Sequence, residues 1–319
     1  LVSHALVRRI TLEGRRATGV EWLAGNQPFR ASAGAEVILA AGAINSPKLL
    51  ELSGIGQAGR LAGLGIPVLH DLPGVGENLQ DHLQLRTVFK VQGTRTLNDM
   101  AGSLWGKARI ALQYGLTRSG PMSMAPSQFG MFTRSGPDRE TPDLEYHVQP
   151  LSTDRLGDPL HPFPAITVSV CNLRPTSVGH VHATTPAPEV QPDIRLNYLS
   201  TAEDRRIAVA SIRQARQIMT AQALRPFAPE EWLPGPGFDS DEALAQKAGD
   251  IATTIFHPVG TCRMGSDDGA VVDPRLNLRG IAGLRIADAS VMPRIVSGNT
   301  ASPVVMIAER AAAFIRGAG

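Results

Sequence analysis

Short apolar runs set between glycine-marked turns open the chain, and they predict strands. Leu6-Val7-Arg8-Arg9-Ile10 leads through the Glu13-Gly14 turn to Thr18-Gly19-Val20-Glu21-Trp22. Ala35 to Ala40 is the continuous apolar run of a buried strand. A helix is expected next, with Ser46 as N-cap, Pro47 at its first position and Gly54 just past its end.

The pattern changes between about residues 80 and 250. Prolines crowd Gly120 to Pro192, and strand runs such as Ala165 to Val170 alternate with turns. Pro175 to His182 suggests a strand pair bounded by Gly179. Asp204 to Leu224 reads as a helix with Ile207, Ile212, Ala215, Ile218 and Met219 on one side. Asp239 with Glu242 has the spacing of a capping box that opens another helix. After His257 the first style returns. Leu284 to Asp288 is a short buried strand ending in an acid, and Ser302-Pro303 begins a terminal helix running to about Ile315. These elements predict an α/β chain in which an antiparallel-sheet domain with helices behind it interrupts the first domain.

Composition supports a folded core and narrows the partners. The 319 residues are 43% hydrophobic and 19% charged, with 31 basic against 29 acidic side chains. No basic stripe or acidic tail marks a nucleic acid or anionic membrane as a partner. The longest apolar run, Val37 to Ile44, is far short of the ~20 residues that a membrane span needs. Cys171 and Cys262 suggest no disulfide framework, which fits a reducing, cytoplasmic setting, with a position peripheral to a membrane left open.

Several candidate motifs have ordinary explanations. Gly54-Ile55-Gly56-Gln57-Ala58-Gly59 matches G-x-G-x-x-G, but that fingerprint needs a strand before it and a helix after it. A helix precedes it here, so it reads as a helix stop and turn. His180 and His182 alternate on a strand and are read as strand residues, not a metal pair. His257 and Cys262 lack companion ligands at zinc-like spacing. No G-x-S-x-G elbow supports a serine hydrolase.

Two segments remain. His257-Pro258-Val259-Gly260-Thr261-Cys262-Arg263-Met264-Gly265 offers a titratable base in a glycine-containing turn, with Pro258 disfavouring a helical histidine backbone. Ser297-Gly298-Asn299-Thr300-Ala301-Ser302-Pro303 offers a neutral amide beside a helix start, whose dipole stabilises negative charge. A lone histidine is more often structural than catalytic, and a turn asparagine beside glycine is common. Together, however, a base, a hydrogen-bond donor and a positive helix end are what alcohol oxidation at a flavin requires. Asp288 could accept from a ribityl hydroxyl or cap a turn.

Four blocks, in order, resemble the glucose–methanol–choline (GMC) family of FAD-dependent oxidoreductases. Gly42-Ala43-Ile44-Asn45-Ser46-Pro47 through Gly54-Ile55-Gly56 is similar to that family's second signature. Pro73-Gly74-Val75-Gly76-Glu77-Asn78-Leu79-Gln80-Asp81-His82, the His257 block and the Asp288-to-Pro303 stretch complete the set. The resemblance implies part of a Rossmann-like FAD domain formed by about residues 1–80 and 255–319, with a substrate domain at 81–254. It implies His257 and Asn299 as catalytic residues. Gly42, Ala43, Asp288, Ala289, Thr300 and Pro303 are implied as contacts to FAD. The implied reaction oxidises a primary alcohol to the aldehyde. His257 takes the proton, hydride passes to flavin N5, and a quinone-type acceptor or oxygen receives the electrons.

Two departures modify that expectation. The family's N-terminal segment with the pyrophosphate-binding glycine loop is not in the sequence, so the chain alone is expected to bind FAD weakly or not at all. The alternative to a working enzyme is a non-catalytic product, or a lyase on the same scaffold. Choline-oxidising members tend to carry an acid where this chain has Gln128, beside Phe129. With Met122, Met124 and Met131 nearby, the pocket expectation is a neutral primary alcohol, aliphatic or aromatic, in preference to choline.

Overall fold

The computed structural model describes residues 1–125, 127–155 and 157–317. They form two compact units. One comprises Leu1–Asp81, Ser177–Tyr198 and the chain from Phe256 onward; the other comprises His82–Thr176 and Leu199–Ile255.

The first unit begins with an antiparallel meander of strands Ala5–Glu13, Arg16–Ala24 and Gln27–Ser32. Gly14 takes φ +57 at the expected turn. Strand Val37–Leu39 then pairs in parallel with Leu284–Ile286, in the register Val37 to Leu284, so segments more than two hundred residues apart make one sheet. Ile38 is about half exposed, unlike the fully buried strand expected from its apolar run. Leu39, Leu50, Ile286, Ile307 and Ala311 share one core, which seats the helices Gly42–Leu52 and Ala301–Ile315 on that parallel pair.

Both helices start before the residues expected to cap them. Gly42–Leu52 begins four residues ahead of Ser46, so Pro47 lies inside it. A proline there has no N–H for the carbonyl of Ala43, four residues back. Thr261 supplies the missing donor: its Oγ1 donates to the Ala43 carbonyl at 2.6 Å. Ser46 donates to Asp288 instead of capping. Likewise Thr300, not Ser302, precedes the terminal helix, and Pro303 occupies its first turn, where a missing N–H costs little.

Gly54-Ile55-Gly56 stops the preceding helix and enters a two-residue strand paired with His70–Asp71. Gly54 has φ +79, and a Cβ there would lie 2.5 Å from the Pro67 carbonyl oxygen. The glycines therefore serve a turn, as the order of elements implied.

Residues 177–198, which the sequence placed in the middle segment, pack into the first unit. Strand Gly179–His182 pairs with Glu77–Leu79 and Asp193–Arg195. His182, at its end, is buried, with Nδ1 2.8 Å from Glu51 Oε1 and Nε2 3.0 Å from Glu77 Oε1.

The second unit is built on a six-stranded antiparallel sheet. Leu83–Lys90 lies between Glu230–Leu233 and Ala165–Asn172, followed by Leu144–Gln149 and Phe129–Thr133; Ala252–Thr254 also pairs with Leu83–Lys90. One face carries Leu85, Phe89, Tyr146, Val168 and Val170, covered by Ile207, Ile212, Ala215 and Met219 of helix Ala202–Met219 and by Leu244 of Asp241–Asp250. The apolar stripe read from the sequence is thus the buried one. Its helix starts two residues earlier than expected, capped by Thr201, whose side chain accepts from Asp204 N. Ser240, not Asp239, caps the next helix, because Asp239 faces the guanidinium groups of Arg213 and Arg216. Helix Leu104–Thr117 has no buried residue, which explains why no core-facing periodicity announced it.

Candidate active site

The turn from Leu39 into the helix at Gly42 is the centre of the candidate flavin-side site. Gly42 has φ +79, which favours glycine, and a Cβ there would meet no protein atom within 4 Å. Its N–H donates to Asp288 Oδ2 at 3.0 Å, and Ser46 Oγ donates to the same oxygen at 2.5 Å. Asp288 Oδ1 accepts from Ser290 N at 2.8 Å. This buried carboxylate therefore receives three protein hydrogen bonds. It organises the Gly42 turn first, and only its remaining lone pairs could serve a ribityl hydroxyl.

Ala43, Thr261 and Ala289 complete the cluster. Gly260 N donates to the Ala289 carbonyl at 3.3 Å, and Cys262 N donates to the Ser290 carbonyl at 2.9 Å. Burial, reinforced by the Asp288 charge, pushes the Cys262 thiol well above its usual range. Cys262 is therefore a packed apolar residue and neither a nucleophile nor a ready metal ligand.

The Thr261 hydroxyl makes a specific prediction. Thr261→Val should destabilise the protein by about 1–3 kcal/mol, the usual effect of stranding a buried acceptor. In a Pro47→Ala background the new backbone N–H can bond to the Ala43 carbonyl, so the same substitution should lose most of its effect. Additive losses in a thermal-unfolding cycle would show that the two positions are not compensating.

A second set of bonds positions His257. Gln80 N donates to the Val259 carbonyl at 3.0 Å, and Val259 N returns to the Gln80 carbonyl at 2.9 Å. Asp81, almost fully buried, accepts the His257 backbone N–H on Oδ1 at 2.9 Å and the Tyr198 hydroxyl on Oδ2. Gly260, with φ +97, passes so close to Asn78 that a Cβ would lie 2.4 Å from the Asn78 carbonyl oxygen. His257 itself is part-buried and follows Phe256, a non-glycine residue at φ +64.

The same brace reaches toward Asn299. Asn78 Nδ2 donates to the carbonyls of Gly260 and Pro293, and Gln80 Nε2 also donates to Pro293. Gln80 Oε1 accepts from Ile295 N at 3.2 Å. Asn299 stands exposed, one residue before Thr300 and two before the helix begins at Ala301. The block from Asn78 to Asp81 thus ties the His257 turn to the segment leading to Asn299. The sequence marked that block only by resemblance. No local pattern identifies Asp81 or Tyr198, since their bonds join positions more than a hundred residues apart.

Gln128 and Phe129 lie in the second unit. Gln128 N donates to the Val148 carbonyl at 3.0 Å, and Phe129 opens the outer strand with a largely exposed ring. Alternation puts Gln128 in step with Gly130 and Phe132, whereas Phe129 shares its face with Met131, which packs on the core. Met122 and Met124 are about half exposed.

An open cleft of about 430 Å³ runs along Val37–Leu39 and the first helix, past Asn45 and Lys48. It includes Ala41 but none of His257, Asp288 or Asn299.

Comparison with known proteins agrees with this construction at both ends of the chain. Two GMC oxidoreductase models match, one over residues 1–84 and the other over residues 175–308. The chain belongs to the GMC oxidoreductase family. It is 38% identical over 318 residues to alcohol dehydrogenase [acceptor] of Pseudomonas putida, covering 99% of this chain and 57% of that protein. It is 38% identical to the oxygen-dependent choline dehydrogenase of Escherichia coli (strain SMS-3-5 / SECEC), over 99% of this chain and 56% of the relative. Among solved structures, formate oxidase of Aspergillus oryzae RIB40 superposes with a TM-score of 0.92 at 26% identity, covering 98% of this chain and 60% of that one. A fungal aryl-alcohol oxidase gives a TM-score of 0.82 at 26% identity, over 97% of this chain and 60% of that one. The chain spans a little over half the length of the curated relatives it matches.

The GMC family binds FAD. The cluster around Gly42 fits the flavin end of that cofactor: an open left-handed glycine turn and an anchored acid lie in the same unit as a fifteen-residue helix whose first turn follows exposed Asn299. Gly42, Ala43, Ala289, Thr300 and Pro303 could line it, with Asp288 holding the Gly42 turn in shape. Among the described residues, no helix is long and apolar enough to cross a membrane.

Proposed function

We propose that this chain is the flavin-side and substrate-side part of an FAD-dependent alcohol oxidoreductase that converts a primary alcohol to its aldehyde. The carrying observation is the brace that holds His257: paired hydrogen bonds from Gln80 and a buried carboxylate, Asp81, on the His257 backbone N–H. The brace fixes the histidine's place in the turn, next to Gly260, whose backbone packs against Asn78.

When bound, FAD supplies the hydride acceptor. His257 takes the hydroxyl proton as the carbon–hydrogen bond breaks, so the positive charge stays on the imidazole and the developing alkoxide needs a donor. Asn299 provides that donor from its side-chain amide. The dipole of the helix beginning at Ala301 favours negative charge at the same end. Gln128 brings no charge, which supports an alcohol without a quaternary ammonium in preference to choline. The electrons pass to a quinone-type acceptor or to oxygen: one relative is named alcohol dehydrogenase [acceptor] and another oxygen-dependent choline dehydrogenase.

The decisive test is anaerobic. Mixing the holoenzyme with a primary alcohol should bleach the flavin absorbance in proportion to aldehyde formed. Aldehyde release without bleaching would point to lyase chemistry, and no reaction with any alcohol would leave a non-catalytic protein. Admitting oxygen or a soluble quinone afterwards identifies the acceptor by which one restores the colour.

A further inference from the structure

The sheet of the second unit has a face that the core does not use. Residues alternating with the buried apolar set are Gln84 and Arg86 on one strand, Thr167, Ser169 and Cys171 on the next, and Glu145, His147 and Gln149 on the third. Register places Arg86 directly opposite Ser169, and Ser169 directly opposite His147. Arg86 is 5% exposed and Ser169 is fully buried. A half-buried antiparallel sheet would ordinarily be polar on this face and open to water; here the polar face is buried as well.

Arg86 is the one guanidinium in that row. Its Nε and Nη2 are buried and have no hydrogen-bond partner among the described residues, and the neighbouring Ser169 Oγ is in the same position. No described carboxylate forms an ion pair with it. Glu145 lies two strands away, about 10 Å by strand spacing; its Oε1 is 3.5 Å from His147 Nε2, while its Oε2 is buried without a hydrogen-bond partner among the described residues. Burial alone pulls the Arg86 guanidinium below its ordinary value. A buried guanidinium without a counter-charge is strongly unfavourable, so it calls for a ligand group that completes it.

The unpartnered pair of nitrogens identifies that group. Nε and Nη2 form one edge of the guanidinium, with two parallel N–H bonds that match the two oxygens of a carboxylate. Elsewhere in this unit the same edge does that: Arg216 donates from Nε and Nη2 to the two oxygens of Glu231 at 2.9 and 3.0 Å. Arg206 binds Glu203 in the same way.

We infer that Arg86, with Ser169 beside it, is a carboxylate-binding subsite of the second unit, and that the physiological alcohol carries a carboxylate. This rests on the reading of residues 81–254 as a substrate domain of an alcohol oxidoreductase. It departs from the neutral alcohol that Gln128 and the methionines suggested, because no local pattern distinguishes a buried arginine from a solvated one.

Binding and turnover test it separately. Calorimetry on the holoenzyme should show a medium-chain alkanoate binding more tightly than the alkan-1-ol of equal length. Arg86→Gln should weaken alkanoate binding about 10- to 100-fold, the range for losing charged hydrogen bonds. Arg86→Lys, which keeps the charge and loses the fork, should fall between. In turnover, the ratio of kcat/KM for an ω-hydroxycarboxylate to that of the matched α,ω-diol should drop by the same factor. Equal binding of alkanoate and alkanol by the wild type overturns the inference. So does an equal loss for both substrates in both variants with a lowered Tm, which would make Arg86 a structural residue. If the alkanoate binds through Arg86 but no alcohol reduces the flavin, the subsite stands and the enzymatic reading fails.

Discussion

Replacing His257 by alanine in the holoenzyme is expected to lower kcat for a primary alcohol by ~10²–10⁴, about 3–5 kcal/mol of barrier, with flavin content unchanged. That range is what a positioned general base contributes. The side chain supplies the base, but the backbone supplies the position: Asp81 and Gln80 fix residues 257–259 from outside the turn. Asp81→Asn should therefore lose less than His257→Ala, about tenfold, because the amide oxygen can still accept the His257 N–H while the charge-assisted part is gone. The pH profile separates the roles. Without the imidazole, the acid limb, where protonation removes the base, should disappear; with Asp81→Asn it should persist at reduced height. Turnover by His257→Ala equal to wild type would remove the histidine from the reaction altogether.

Glu51→Ala should have the largest effect on stability, about 3–5 kcal/mol, as expected when one partner of a buried charged group is removed. Glu51 is fully buried on the helix Gly42–Leu52. Its Oε2 accepts from Ala183 N at 2.6 Å and its Oε1 lies 2.8 Å from His182 Nδ1. His182 in turn meets Glu77, which also accepts from Gln57 Nε2 at 2.8 Å. Truncating Glu51 strands a backbone donor and a ring nitrogen together, and the glycine at 76 leaves no slack: a Cβ there would lie 2.8 Å from His182 Nδ1. Glu51→Gln keeps the acceptor for Ala183 and should cost less. Thermal unfolding of both variants checks the order; an alanine variant melting with the wild type would mean that the network is not supporting the fold. His182 is thereby explained as a strand residue that carries this brace, while His180 on the same strand faces Asp193.

Much of the fold follows from local chemistry in the sequence. Apolar alternation in residues 5–24 and the run at 37–39 make strands, and the stripe Ile207, Ile212, Ala215 and Met219 makes a helix with one buried side. Element order disposed of the Gly54 motif, because a helix stood where a strand was required. Caps were less legible where two competent residues adjoin. Ser240 and Asp239 are equivalent by pattern, and distant arginines decide between them. Ser46-Pro47 looks like a helix start because serine caps and proline tolerates the first turn. The helix nonetheless starts at Gly42, since Asp288 and Thr261 satisfy the groups that the serine and proline leave open.

By itself, then, the sequence determined the type of its strongly patterned elements and the family membership carried by its four blocks, and it nominated the two residues proposed to act on the alcohol. Those depend on side-chain periodicity, turn chemistry and contiguous motifs, all of which act over a few residues. The tertiary structure alone gave Asp81, Asp288 and Glu51 their partners and withheld them from Arg86. Each is an ordinary charged residue by spacing, and its meaning comes from partners brought together, or withheld, by burial. A carboxylate in water has many exchangeable partners, but inside a core it has only those the fold places within hydrogen-bond reach.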